Sequence, residues 1–499
     1  MKFNYRIARL ILITFCSLQA IVLSGQGITL DMTLEKVVED ARTQSLSALI
    51  AKHNYIVSYW EFRTYKAQFL PSLYLSGGVG EYNRSITRMQ DAETGEFHYV
   101  NNNFLSNSLN LELKQNIPFT GGTISLNTYL DRTDQFSPKR SVNYNAQPIY
   151  MSYDQPLFAY NRLKWEKKIE PVKYEKAKRE YLENVEEAVT VAVEYFFNLL
   201  LANENMQAAI RSKENNTQLL AIAEERYKLG NMTRDELLQL RLQLLNDDVK
   251  ISDYRLEAEM AMIRLRTFLG YNEKVTINPL LPSFEENLVL DLEEVLGRAE
   301  KASSEYMDRK IKLLEAESAV AQAKAQRGFE ASLYARFGTT QVGKDLGSAY
   351  RSPMDQEVVG LSLRIPILDW GLGKGRVLVA KSQQEVMEMQ VNQQSSEWIQ
   401  DLTMKVLEFN LQGNQCRTSM EADAIGKERY STARNRFTNG AISVTELNTA
   451  QSEMDNSSIQ YIEKICKYWT SYFELRRLCL YDYIGKQEVT EDFDKLTGD

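Results

Sequence analysis

The sequence predicts a mainly α-helical chain with a β-barrel portion, in which long antiparallel coiled-coil helices alternate with membrane-type β-strands. Three observations predict it. Only 10 prolines occur in 499 residues, so long stretches can stay helical without interruption. Ordered blocks of sequence recur along the chain, which marks an internal duplication. Between the helical blocks, apolar residues alternate with period two, the pattern of a strand with one apolar and one polar face.

The N-terminus reads as an export signal over residues 1–25. Lys2, Arg6 and Arg9 precede an apolar run from Leu10 to Leu23, and the small residues Ser24 and Gly25 follow. At about 14 residues the run is short for a spanning helix, which needs about 20. Phe15 stands where a small residue would precede a lipidated cysteine, which argues against lipidation at Cys16. The remaining Cys416, Cys466 and Cys479 have no CxxC spacing and read as small buried hydrophobes.

The duplication organises the rest. Arg226-Tyr227-Lys228-Leu229-Gly230, then Met232 and Glu236-Leu237, is matched by Arg436-Phe437-Thr438-Asn439-Gly440, then Ile442 and Glu446-Leu447. The offset is constant, 436 − 226 = 210 and 447 − 237 = 210, and it also pairs Pro156-Leu157-Phe158 with Pro366-Ile367-Leu368. Upstream, Ser72-Leu73-Tyr74 pairs with Ser332-Leu333-Tyr334 at an offset of 260. The first copy therefore carries 260 − 210 = 50 extra residues between Tyr74 and Pro156. They read as an additional hairpin: Leu109, Leu111 and Leu113, a turn at Pro118-Phe119-Thr120-Gly121-Gly122, then Ile124, Leu126 and Thr128.

Residues 26–287 form the first repeat and 288–487 the second, each ordered as helix, strands, very long helix, tip turn and returning helix. The long helices are expected at 162–228 and 373–438, with tips at 229–232 and 439–442. At about 1.5 Å per residue, such helices reach roughly 100 Å. Their apolar positions step by three and four, as Val185, Val189, Ala192, Phe196 and Leu199 do. Gly230 and Gly440 supply left-handed closing residues, and Thr233 with Glu236, and Ser443 with Glu446, are capping boxes opening the returning helices. One helix is expected from Thr33 to about Ala67 and another from Leu288 to about Gln326. Residues 488–499 are expected to be a disordered acidic tail.

The strands suit a membrane wall. Val359, Leu361, Leu363 and Ile365 alternate with Gly360, Ser362 and Arg364, and Leu73, Leu75 and Val79 sit on one face of theirs. Four to six strands per chain cannot enclose a lumen, yet a bilayer forbids open sheet edges. Oligomerisation resolves the conflict. Three copies give about 12 strands, or about 18 if the extra hairpin joins.

With these motifs assembled, the chain resembles the TolC-like outer-membrane efflux family over nearly all of its mature length. The resemblance rests on the duplicated tips, Arg226 to Thr233 and Arg436 to Ser443, and on the strand exits Gln155-Pro156-Leu157-Phe158 and Pro366-Ile367-Leu368-Asp369-Trp370-Gly371. It implies a homotrimer with a β-barrel in outer-membrane lipid and an α-helical barrel in the periplasm. It also implies a periplasmic adaptor (membrane fusion protein) and an inner-membrane transporter as partners, for efflux or type I secretion. Arg226, Tyr227, Gly230, Thr233 and Glu236 would form one adaptor-docking or gating tip, and Arg436, Phe437, Gly440, Ser443 and Glu446 the other. Glu446 matches a position that is acidic in relatives closed by carboxylate rings. Thr449 and Ile442 depart from that pattern, because such relatives carry acid and arginine there.

Other chemistries find no support. The net charge of −8 and the absence of a basic block argue against a nucleic-acid partner. Gly371-Leu372-Gly373-Lys374-Gly375 lacks phosphate-loop spacing and reads as a strand-to-helix turn. His53, in a helix, and His98, in a polar loop, have no partner at metal or triad spacing. Glu186-Glu187 and Asp247-Asp248 read as solvated helix faces. No enzyme, catalytic residue, metal or cofactor is expected. The competing class is an exported coiled-coil scaffold or adhesin without a pore, which would not need period-two segments at duplicate positions.

Overall fold

A computed structural model describes residues 28–90 and 94–498; the expected export signal and Cys16 lie outside the described residues. In chain order the elements are β1 (Ile28–Met32), α1 (Leu34–Thr43), α2 (Leu46–Ala67), β2 (Ser72–Gln90), β3 (Phe97–Ile117), β4 (Gly122–Ser137) and β5 (Ser141–Leu157). Next come α3 (Arg162–Lys228), α4 (Arg234–Phe268), β6 (Val275–Pro279), α5 (Leu292–Ala302), α6 (Ser304–Arg327), β7 (Glu330–Gly343), α7 (Ser348–Arg351) and β8 (Met354–Arg364). The chain ends with α8 (Leu372–Thr438), α9 (Val444–Cys479), β9 (Tyr481–Asp482), β10 (Gln487–Glu488) and α10 (Phe493–Thr497).

Two compact units are present, and each draws segments from both halves of the sequence. The sheet unit contains Val57–Ala177 and Glu305–Ser395. Its six strands pair in the order β2-β3-β4-β5-β7-β8, every pair antiparallel. All six lie in one sheet, so the extra hairpin, β3 and β4, is part of it. The strands run from 11 to 21 residues, each long enough for the about 9 to 11 that a bilayer needs. His98 lies within β3 rather than in a loop. Gly371, at φ 87°, turns the chain out of β8, and the Asp369 carboxylate accepts N–H bonds from Gly371 and Gly373 at 2.9 and 2.8 Å to start α8.

The helical unit contains the described residues up to Ile56, Lys178–Ser304, and residues 396–498. Its core joins Val189, Val193, Phe196 and Leu199 of α3 to Val406 and Phe409 of α8, Ile465 and Tyr468 of α9, and Ile277 of β6. The parallel pair β1 and β6 caps it. Cys416 and Cys479 are buried and Cys466 half-buried, all unpaired.

Several expectations need correction. The helix expected from Thr33 to Ala67 breaks at Ser45, whose hydroxyl accepts the Ala48 N–H at 3.1 Å and opens a new helix. The helix expected from Leu288 starts at Leu292 and breaks at Ser303, where Ser304 N–H donates to the Glu183 carboxylate at 2.7 Å. The acidic tail is ordered: the Phe493 ring packs 5.0 Å from Tyr55 and 6.0 Å from Tyr181, centroid to centroid. Glu186 is fully buried between Arg42 and Arg476, although Glu187 beside it is half-exposed against Arg477. Burial raises the Glu186 pKa, and Arg42 opposes that shift. Asp247 is also fully buried and accepts from Asn216 at 2.6 Å and Ser212 at 3.1 Å.

Candidate functional site

Two features invite function, one in each unit. In the helical unit, the tips close alike. Gly230 (φ 76°) and Gly440 (φ 75°) take the left-handed conformation that glycine adopts without a Cβ penalty. Asn231 N–H bonds back to Arg226 C=O at 2.9 Å, and Ala441 N–H to Arg436 C=O at 2.9 Å, the six-to-one bond of a Schellman turn. Both capping boxes form. Glu236 accepts from Thr233 N–H at 2.9 Å, and Glu446 from Ser443 N–H at 3.2 Å. The Thr233 backbone bond holds the Glu236 carboxyl below its usual pKa.

The tips pack against each other through Leu219, Ala223, Leu237 and Leu240 from one and Phe437, Val444 and Leu447 from the other. There the likeness ends. Phe437 is buried, with the Arg226 guanidinium 5.3 Å above its ring and bonded to its carbonyl at 3.3 Å. Its counterpart Tyr227 is exposed. Arg436, the counterpart of Arg226, lines a cavity of about 480 Å³ with Arg429, Ile442 and Glu446. The structure thus joins Arg226 to Phe437 and places Arg436 and Glu446 around one hollow, while Tyr227 points away from that core. Sequence reasoning missed the Arg226–Phe437 contact; the lost hydroxyl between Tyr227 and Phe437 was its one signal.

In the sheet unit, cross-strand register sorts the side chains. Leu73, Leu113, Leu126, Met151 and Phe337 form one continuous row across five strands. Leu333 with Leu361, and Ala331 with Leu363, continue the same face. The row is bare: Leu73 is 64% exposed and the other four between 41% and 43%. One residue along, Lys114, Ser125, Ser152 and Arg336 form the row on the opposite face. Polar side chains there bond each other, with Ser106 donating to Asp131 at 2.6 Å and the Ser125 and Ser152 hydroxyls 2.6 Å apart. The Arg336 guanidinium lies 4.7 Å from the Tyr150 ring centroid. At the end of the sheet where strands meet helices, Phe119, Phe158 and Trp370 are each at least 72% exposed.

Among the described residues, no helix is long and apolar enough to cross a membrane, and no group of His, Cys, Asp and Glu could hold a metal ion. Residues 41–271 and 301–479 match the family described as outer membrane efflux protein. Among proteins of curated function, none matches the chain by sequence. The fold is similar to solved outer-membrane proteins. The Campylobacter jejuni CmeC channel is 16% identical at a TM-score of 0.65, covering 93% of this chain and 88% of that one. Vibrio cholerae VceC is 13% identical at 0.60, covering 92% and 97%, and Neisseria gonorrhoeae MtrE, crystallised in an open state, is 15% identical at 0.58, covering 92% and 91%.

Proposed function

The chain belongs to the outer membrane efflux protein family, and on that premise we propose that it is the passive outer-membrane exit channel of a tripartite pump. It is a channel protein, not an enzyme, and it resides in the outer membrane and extends into the periplasm. The observation that carries this reading is the sheet with one bare apolar face and one polar face. Lipid satisfies the first and a water-filled lumen the second. The exposed Phe119, Phe158 and Trp370 suit the membrane–water interface, where aromatic side chains place an apolar ring beside polar headgroups.

Three copies assemble, because six strands closing alone would leave no lumen and would crowd Glu112, Lys114 and Arg336 into a side-chain-filled core. A periplasmic adaptor docks at the tips formed by Arg226, Tyr227, Gly230, Thr233 and Glu236 and by Arg436, Phe437, Gly440, Ser443 and Glu446, and an inner-membrane transporter supplies cargo and energy. Glu446 keeps its helix cap while its charge faces the cavity beside Arg436, so three copies would place repeated charges around the axis and make closure sensitive to salt. Residues 26–287 and 288–487 are two copies of one ancestral unit.

The test is a pair of arginine scans. Leu111→Arg or Leu361→Arg, on the apolar face, should each cost insertion about 2–4 kcal/mol and reduce the amount in outer-membrane fractions. Asn110→Arg, on the polar face, should insert normally. Equal tolerance at all three positions would refute the lipid-facing assignment.

A further inference from the structure

The described sheet carries more strands than the closure problem needs, and the surplus lies in one place, the β3–β4 hairpin that the second half of the chain lacks. We infer that in the three-fold assembly proposed above, on which this inference rests, the membrane barrel has 18 strands, six from each chain, with β3 and β4 built into the wall. Topology alone leaves another route. Strands β2 and β5 run in opposite directions, so they could pair directly, eject the hairpin into the lumen as a plug, and leave four strands per chain.

Three observations rule for the wall. First, the hairpin strands carry the same facial code as their neighbours. Leu113 and Leu111 of β3 pair with Leu73 and Leu75 of β2, Leu126 and Ile124 of β4 pair with Met151 and Tyr153 of β5, and Leu109 pairs with Leu130 within the hairpin, all on one face. A plug bathed in water has no use for leucines on its outer face, and a bilayer does.

Second, the turn is tied down on both sides. Asn161, at the start of α3, donates its Nδ2 to the carbonyls of Pro118 and Phe119 at 3.0 and 3.2 Å, and Gln155 of β5 donates to Thr120 C=O at 2.9 Å. From β3, Gln115 and Asn116 reach across to the carbonyls of Phe69 and Gln68, each at 2.9 Å. Gly122 lets β4 begin flush against β5: a Cβ there would stand 2.3 Å from Gln155 Oε1 and 2.9 Å from Asp154 O. Ejecting the hairpin would break every one of these bonds.

Third, Phe119 at the turn is 90% exposed at the same end of the sheet as Phe158 and Trp370. It takes its place in the aromatic rim that a wall strand needs and a plug does not. The edges agree as well. An even number of strands places β2 and β8 in opposite directions, so β8 of one copy meets β2 of the next antiparallel and no edge is left open in lipid. Strands about 4.8 Å apart and tilted about 40° close on a backbone circle about 36 Å across for 18 strands, against about 24 Å for 12.

Spin labels and a particle count test this on the full chain in lipid vesicles. Labels at Leu111→Cys and Leu126→Cys, in a Cys466→Ser background, should collide more with dissolved oxygen than with a water-soluble nickel complex. At Asn110→Cys the order should reverse. Electron cryomicroscopy of the same sample should count three subunits around 18 strands. Three subunits around 12 strands, with nickel favoured at Leu111 and Leu126, would overturn the wall hairpin and leave the trimer standing. Two subunits around 12 strands would overturn the trimer itself.

Discussion

The two hairpin tips share one local design yet end in different surroundings. Each has a left-handed glycine, a six-to-one carbonyl bond and a Ser/Thr–Glu capping box, because those features depend only on residues within about one helical turn. What lies beyond that turn differs. Arg226 reaches over to Phe437 and helps bury it, whereas Tyr227 stays in solvent and Arg436 edges an open cavity with Glu446. Duplication therefore fixes the turn, and packing decides which copy becomes core and which stays exposed.

The largest expected effect comes from the shared part. Proline cannot adopt a φ near 75°, and it lacks the N–H that Gly440 donates to Phe437 C=O and Gly230 to Tyr227 C=O. Gly440→Pro and Gly230→Pro should each abolish export, read as drug susceptibility or secretion, while the assembly still forms. Unchanged export would detach the tips from the docking role.

The next effect sharpens the difference between copies. Phe437→Ala should cost roughly 3–5 kcal/mol, as removing a buried ring does. Tyr227→Ala should stay within about 0.5 kcal/mol, as for an exposed site. Hydrogen exchange at the amides of α4 and α9 near the tips would read both, and similar losses would contradict the asymmetry.

The smallest effect concerns Asp455 of α9, whose counterpart by the 210-residue offset is the exposed Leu245. Burial, with Glu204 and Asp247 nearby and Arg211 and Lys250 opposing, raises its pKa to about 6. The folded state then keeps a proton that the unfolded chain loses above its normal carboxylate range near 3.8. Stability from this group rises as pH falls through 6 toward 4 and is lost above 6. Asp455→Asn should raise the thermal midpoint at pH 8 and make no difference at pH 4. A shift of equal size at both values would exclude the titration.

Much of this was legible because it is local or repeated. The family resemblance drawn from the ordered repeats agrees with the family match, and the capping boxes at Thr233 and Ser443 could be read from three-residue spacing. The hairpin at Pro118–Gly122 was visible as a change of offset. The errors share a cause as well. Glu186 looked like half of a solvated acidic pair, because its partners Arg42 and Arg476 lie 144 and 290 residues away in sequence. Asp247 was misread for the same reason: Asn216 comes from the facing helix. The tail looked disordered from its charge, but Glu488 pairs with Tyr481, Val489 N–H donates to Leu480 C=O at 2.8 Å, and the Phe493 ring packs on Tyr55 and Tyr181. The breaks at Ser45 and Ser303 interrupt otherwise continuous helical patterns, and the Glu183 contact that holds the second is again non-local.

For the proposed channel to exist, the bare face of the sheet must meet lipid in a closed oligomer. Cell fractionation with unheated and boiled gel samples tests it most directly. The protein should pellet with the outer membrane and run unheated as one large detergent-resistant band that collapses to the monomer on boiling. A soluble periplasmic monomer, with the same mobility before and after heating, would contradict the account.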